Sequence, residues 1–104
     1  MIKNIKGTKD LLPDMMLNIQ DIEKHLNQFM SIHGYGEIRT PIFESTELFS
    51  RSVGEYTDIV NKEMYTWEDQ NGQSLTLRPE MTASVVRAYI QKQLWKIEPI
   101  SKFY

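Results

Sequence analysis

The densest set of residues able to do chemistry lies where one stretch passes from a two-residue to a helical period, Leu75-Thr76-Leu77-Arg78-Pro79-Glu80-Met81-Thr82-Ala83 and on to Tyr89. Ser74, Thr76 and Arg78 fall on one face and Leu75 and Leu77 on the other, the alternation of a half-buried strand. Val85, Val86, Tyr89, Ile90 and Leu94 then recur at helical spacing. Pro79 is tolerated near a first helical position, where its missing N–H would have no partner, so Glu80, Met81 and Thr82 are expected in the first turn. A carboxylate and a hydroxyl then stand among free backbone donors. Such a set can hold an amino group on Glu80 and a neighbouring polar or anionic group on Thr82 and the helix end, which suits an α-amino acid. It can equally be an ordinary helix end, in which Glu80 complements the dipole and Thr82 caps it.

The elements that must position this junction are legible in order. Residues 1 to 13 form a polar lead-in with a turn at Gly7, after which Asp14 is placed to cap a helix. Met15, Ile19, Ile22, Leu26, Phe29 and Met30 repeat every three or four residues, which predicts an amphipathic helix from Asp14 to about His33 with Gly34 as its stop. His25 and His33 read as structural or exposed. Tyr35 to Arg39 reads as a strand before Pro41, and Ser45 to Arg51 as a short capped helix ending before Gly54. Met64 to Glu68 and Gln73 to Arg78 are strand patterns joined by Asp69-Gln70-Asn71-Gly72, and Asn71-Gly72 is a strong hairpin signal. A helix from about Met81 to Gln93 follows, and after Pro99 the residues Ile100 to Tyr104 read as the start of another strand. The expected fold class is α+β, one antiparallel sheet with flanking helices.

The 104 residues have the length of one domain, and 40% hydrophobic with 25% charged residues is ordinary for a globular chain. The absence of cysteine excludes disulfides and thiolate metal sites, and two separated histidines form no ligand cluster. A net charge of −2 leaves no electrostatic footprint for nonspecific nucleic-acid binding. There is no long apolar run for a membrane span and no apolar core of a signal peptide behind Met1-Ile2-Lys3, so a cytoplasmic location and no membrane partner are expected.

The segment Leu77-Arg78-Pro79-Glu80-Met81-Thr82-Ala83 resembles the histidine-binding segment of histidyl-tRNA synthetases, which are class II aminoacyl-tRNA synthetases. Further segments agree in the same order: Lys6-Gly7-Thr8-Lys9-Asp10-Leu11-Leu12-Pro13, Gly34-Tyr35-Gly36-Glu37-Ile38-Arg39-Thr40-Pro41, Arg51-Ser52-Val53-Gly54-Glu55-Tyr56-Thr57-Asp58-Ile59-Val60 and Lys62-Glu63-Met64-Tyr65-Thr66-Trp67-Glu68-Asp69. Collinear matches over nearly the whole chain make coincidence a poor explanation.

The resemblance implies that residues 1–104 are the N-terminal part of a class II catalytic core, running from motif 1 through the histidine-binding segment to the start of motif 2. It implies a ligase that activates histidine with ATP and Mg²⁺ and transfers it to tRNA(His). Glu80, Met81 and Thr82 would contact histidine, with Met81 where many relatives have glycine. Motif 1, the long helix and the strand ending at Pro41, would contribute to a homodimer interface. The motif 2 arginine, motif 3 and the anticodon-binding domain of the family have no match in these residues, so the ATP and Mg²⁺ sites and most tRNA contacts are expected elsewhere, no catalytic residue is assigned, and this portion alone is expected to be inactive. Arg78 and Arg87 lie outside the family's ATP motifs, and Arg78 is expected to anchor the strand end. Two alternatives remain: the synthetase-like regulatory subunit of ATP phosphoribosyltransferase, and a stand-alone dimerisation module.

Overall fold

The computed structural model describes residues 1–53 and 64–104; the polar connection containing Tyr56-Thr57-Asp58 lies outside them. The described residues form two compact units, Met1–Glu37 with Lys102–Tyr104, and Ile38–Ser101.

The first unit is built on helix α1, Pro13–Ile32. Its start differs from expectation by one residue. Leu12, extended at φ −81° and ψ 164°, is the N-cap, Pro13 opens the helix, and Asp14 lies in the first turn instead of capping. The reason is steric: proline's ring drives the preceding residue out of the helical region while its own fixed φ suits the first helical position. At the other end Gly34 adopts φ +77°, and the Gly34 and Tyr35 N–H groups donate to the carbonyls of Ser31 (3.1 Å) and Met30 (2.9 Å). This Schellman arrangement satisfies carbonyls that the helix itself leaves open.

No residue of α1 is buried among the described residues, and Ile22, Leu26 and Phe29 on the apolar stripe are each at least half exposed. The strand expected over Tyr35 to Arg39 is not formed as such. Only Gly36 pairs, in a parallel bridge to Phe103, with Gly36 N–H on the Lys102 carbonyl (2.9 Å) and Tyr104 N–H on the Gly36 carbonyl (3.0 Å). With a single partner residue no ladder can propagate. The Tyr104 hydroxyl donates to Asn27 Oδ1 at 2.8 Å and ties this bridge to α1.

In the second unit three short strands, β1 (Phe43–Ser45), β2 (Thr66–Glu68) and β3 (Ser74–Leu77), form an antiparallel sheet in the order β1-β3-β2. The α+β class with an antiparallel sheet and flanking helices is therefore observed, and β1 is a strand that the sequence pattern did not indicate. The β2–β3 connection turns as expected: Gly72 takes φ +77°, and Asp69 Oδ1 accepts the N–H groups of Asn71 (2.8 Å) and Gln73 (2.9 Å). Helix α2, Thr46–Val53, follows β1 directly; helix α3, Thr82–Gln91, follows β3 after a bend; a 3-10 turn, Leu94–Lys96, comes after Gln93 at φ +52°.

Register places Glu44, Thr76 and Thr66 on one face of the sheet, and Phe43, Leu77, Leu75 and Trp67 on the other. The helices cover the polar face. Thr76 is 0% exposed and, with Phe49 of α2 and Ala83 and Ser84 of α3, makes up the buried core. Thr76 can be buried because neighbouring hydroxyls satisfy it: Thr76 Oγ1 lies 2.8 Å from Thr46 Oγ1 and 2.9 Å from Thr66 Oγ1, and Thr46 Oγ1 lies 2.7 Å from Ser74 Oγ, whereas the buried Ser84 Oγ has no hydrogen-bond partner among the described residues. Phe43 and Trp67 pack edge-to-face at 5.6 Å on the opposite, more exposed face. On α3 the inward residues are Ala83 and Ser84, while Val86 and Ile90 of the apolar pattern face outward.

Candidate functional site

The bend between β3 and α3 is shaped by three local choices. Proline at 79 ends the strand ladder because it has no N–H to give. Arg78 uses both its backbone and its side chain to hold the chain against the segment before β1: its N–H donates to the Ile42 carbonyl (3.0 Å), and its Nη1 donates to the Thr40 carbonyl (3.0 Å). This is the anchoring role expected of Arg78. It leaves Pro41, exposed, between the two accepting residues.

The third choice is Glu80. Its carboxylate folds forward over the start of α3, where Oε2 accepts the Thr82 N–H at 2.6 Å and Oε1 accepts the Ala83 N–H at 3.1 Å. These are donors that an α-helix cannot satisfy from within. The helix consequently begins at Thr82, with Met81 as N-cap, and Glu80 and Pro79 precede it instead of lying in its first turn. It is the Glu80 side chain and not that of Thr82 that closes this helix end, because Glu80 precedes the free N–H groups and is long enough to reach forward over them. A negative charge there also faces the positive end of the helix dipole.

The structure thus brings Glu80, Met81 and Thr82 together at one helix end: Glu80 is half-buried, Met81 is 51% exposed and Thr82 is exposed. A carboxylate has about four acceptor directions, and the backbone donors of Thr82 and Ala83 approach it from the helix side only. The arrangement can therefore receive a cationic donor from outside while it caps. No group of His, Cys, Asp and Glu suited to a metal ion occurs among the described residues.

One contact at this site has no counterpart in the sequence pattern. Arg87, on α3, donates from Nη2 (2.8 Å) and Nε (3.1 Å) to Glu44 Oε1 on β1, and from Nη1 (2.8 Å) to Gln91 Oε1. The available signal is an acid in a short strand and an arginine on a helix, and nothing local relates residues so far apart.

The second unit is thus an antiparallel sheet backed on one face by α2 and α3, with an acid presented at the strand-to-helix junction. The family model described as histidyl-tRNA synthetase matches residues 7–99. Histidine–tRNA ligases of Solibacter usitatus and Desulforapulum autotrophicum are 55% and 52% identical to this chain over 104 residues, which is all of it and 25% and 24% of those proteins. The crystal structure of apo Staphylococcus aureus histidyl-tRNA synthetase superposes with a TM-score of 0.78 at 44% identity, covering 97% of this chain and 23% of that one. A Bacillus halodurans protein described as an ATP phosphoribosyltransferase regulatory subunit/histidyl-tRNA synthetase gives a TM-score of 0.71 at 28% identity. The chain belongs to the histidyl-tRNA synthetase family. It spans about a quarter of the length of the curated relatives it matches.

Proposed function

We propose that this chain is the N-terminal part, from motif 1 through the histidine-binding segment, of the catalytic core of a histidine–tRNA ligase, and that the β3–α3 junction reads the α-amino group of histidine. The observation that carries the reading is the Glu80 carboxylate, held by two backbone N–H groups at the mouth of α3 inside the family-matched span. In the whole protein, histidine and ATP would give histidyl-adenylate and pyrophosphate, and the histidyl group would then pass to tRNA(His). Glu80 pairs with the ammonium, Thr82 offers a hydroxyl beside it, and Met81 supplies an apolar wall where many relatives have glycine.

The described residues do not themselves fit an ATP–Mg²⁺ site. The arginines flanking the junction are already engaged, Arg78 by Thr40 and Arg87 by Glu44, and no acidic cluster for a metal is present among the described residues. The phosphate chemistry and most tRNA contacts are assigned to other parts of the protein. The exposed apolar stripe of α1, together with the segment ending at Pro41, is assigned to a homodimer interface. A cytoplasmic location is part of the same reading; no helix of the described residues is long and apolar enough to cross a membrane. The regulatory-subunit reading is disfavoured by the identities, 44% to the synthetase structure against 28% to the one that carries both descriptions.

The test is calorimetric titration of the whole protein with histidine. Weaker binding in Glu80→Gln supports the reading. Unchanged affinity with the fold intact would reduce Glu80 to a helix cap.

A further inference from the structure

We propose that the Arg87–Glu44 ion pair is a positioning element for amino-acid reading, which fixes where the Glu80 carboxylate stands by tying α3 to β1. The inference rests on the reading of Glu80 as the acceptor of the histidine amine. Glu44 lies in β1 opposite Thr76 of the central strand, and its side chain is only 9% exposed. A carboxylate so far removed from water needs a partner. Arg87 provides it with two donors on one oxygen, 2.8 and 3.1 Å, while its remaining terminal nitrogen is held by Gln91. The guanidinium plane is thereby fixed in direction as well as in place.

The consequence follows from where the pair sits. The segment from Arg78 to Arg87 carries both Glu80 and Thr82, and each of its ends is fastened to the same short stretch of chain. Arg78 holds Thr40 and Ile42 at one end, and Arg87 holds Glu44 at the other. The Glu80 carboxylate is in turn held by the first N–H groups of α3, so a shift of the helix along the sheet carries the carboxylate with it. Arg87 bonds Glu44 and Gln91 and lies on the second turn, away from the helix mouth; its influence on histidine runs through the helix. Misplacement of a binding group by a fraction of an ångström is enough to weaken a charge-assisted contact.

The experiment is a double-mutant cycle on histidine affinity in the whole protein, with Glu80→Gln, Arg87→Met and the combination, and with the KM for ATP measured in parallel. The expected result is that Arg87→Met weakens histidine binding about threefold to tenfold and leaves the KM for ATP within about twofold. The combined variant should be little worse than Glu80→Gln alone, since a helix end that no longer offers the charge has nothing left to aim. Arg87→Lys, which keeps one donor for Glu44, should recover part of the loss. If Arg87→Met does not fold, Glu44→Gln replaces it in the same cycle, because it keeps the volume and an acceptor. Additive effects, or equal losses for histidine and ATP, would overturn the positioning role while leaving Glu80 in place. An unchanged affinity in Glu80→Gln alone would instead overturn the reading of Glu80, and the positioning role with it.

Discussion

The carboxylate of Glu80 closes the start of α3 through the N–H groups of Thr82 and Ala83, and the same group faces the outside of the bend. Glu80→Gln separates the two roles, since the amide oxygen can still accept a backbone N–H but the charge that would pair with an ammonium is gone. A hydrogen bond to a charged group in a partly desolvated site is worth about 1.5–3 kcal/mol, so histidine affinity is expected to fall roughly ten- to a hundredfold. Thr82→Val removes a neutral hydroxyl, and the expected loss is smaller, about tenfold or less. Titration of both variants against the parent protein checks the order; a larger loss in Thr82→Val would move the main contact from the acid to the hydroxyl.

Among the described elements, β3 is the central strand of the sheet and carries the buried Thr76. Thr76→Val keeps the shape but removes the hydroxyl that bridges Thr46 and Thr66. Each of those loses a partner, and stability is expected to fall by about 1–3 kcal/mol, read as a lower denaturation midpoint; an unchanged midpoint would mean the hydroxyls are satisfied without Thr76. The end of α1 offers a second test. Gly34 sits at φ +77° with open space where a β-carbon would stand, so Gly34→Ala meets a backbone penalty and no clash. The expected cost is about 1 kcal/mol, visible as fraying of the last turn in amide exchange. Exchange rates equal to those of the parent would show that the Schellman bonds do not hold this end.

At the scale of the molecule, the proposed assembly is tested on the apolar stripe of α1. Ile22, Leu26 and Phe29 lie on one stripe and remain half exposed or more, although apolar periodicity of this kind marks a face meant for burial. If that face joins two copies, as proposed, placing a charge in it will separate them, because a two-fold interface repeats the charge on both sides. Leu26→Glu in the whole protein is expected to shift sedimentation from dimer to monomer at micromolar concentration. A dimer that persists unchanged would place the interface elsewhere.

What the sequence determined by itself is what depends on neighbours along the chain. The extent of α1, the stop at Gly34 and the hairpin at Asn71-Gly72 all follow from periodicity and from residues that favour positive φ, and each is found within a residue or two of its expected place. The junction was also legible, since a proline followed by an acid and a threonine at the end of a strand pattern marks a helix start. What only the tertiary structure decided is which element meets which. Alternation in β3 distinguishes a hydroxyl face from a leucine face, yet the covered one is the hydroxyl face, because Thr66 across the hairpin and Thr46 from a remote part of the chain both satisfy Thr76. The same holds for Glu44 and Arg87, separated by 43 residues and joined by two hydrogen bonds. The start of α3 moved for a related reason: whether Glu80 lies inside the helix or caps it turns on a side-chain hydrogen bond that competes with the backbone's own.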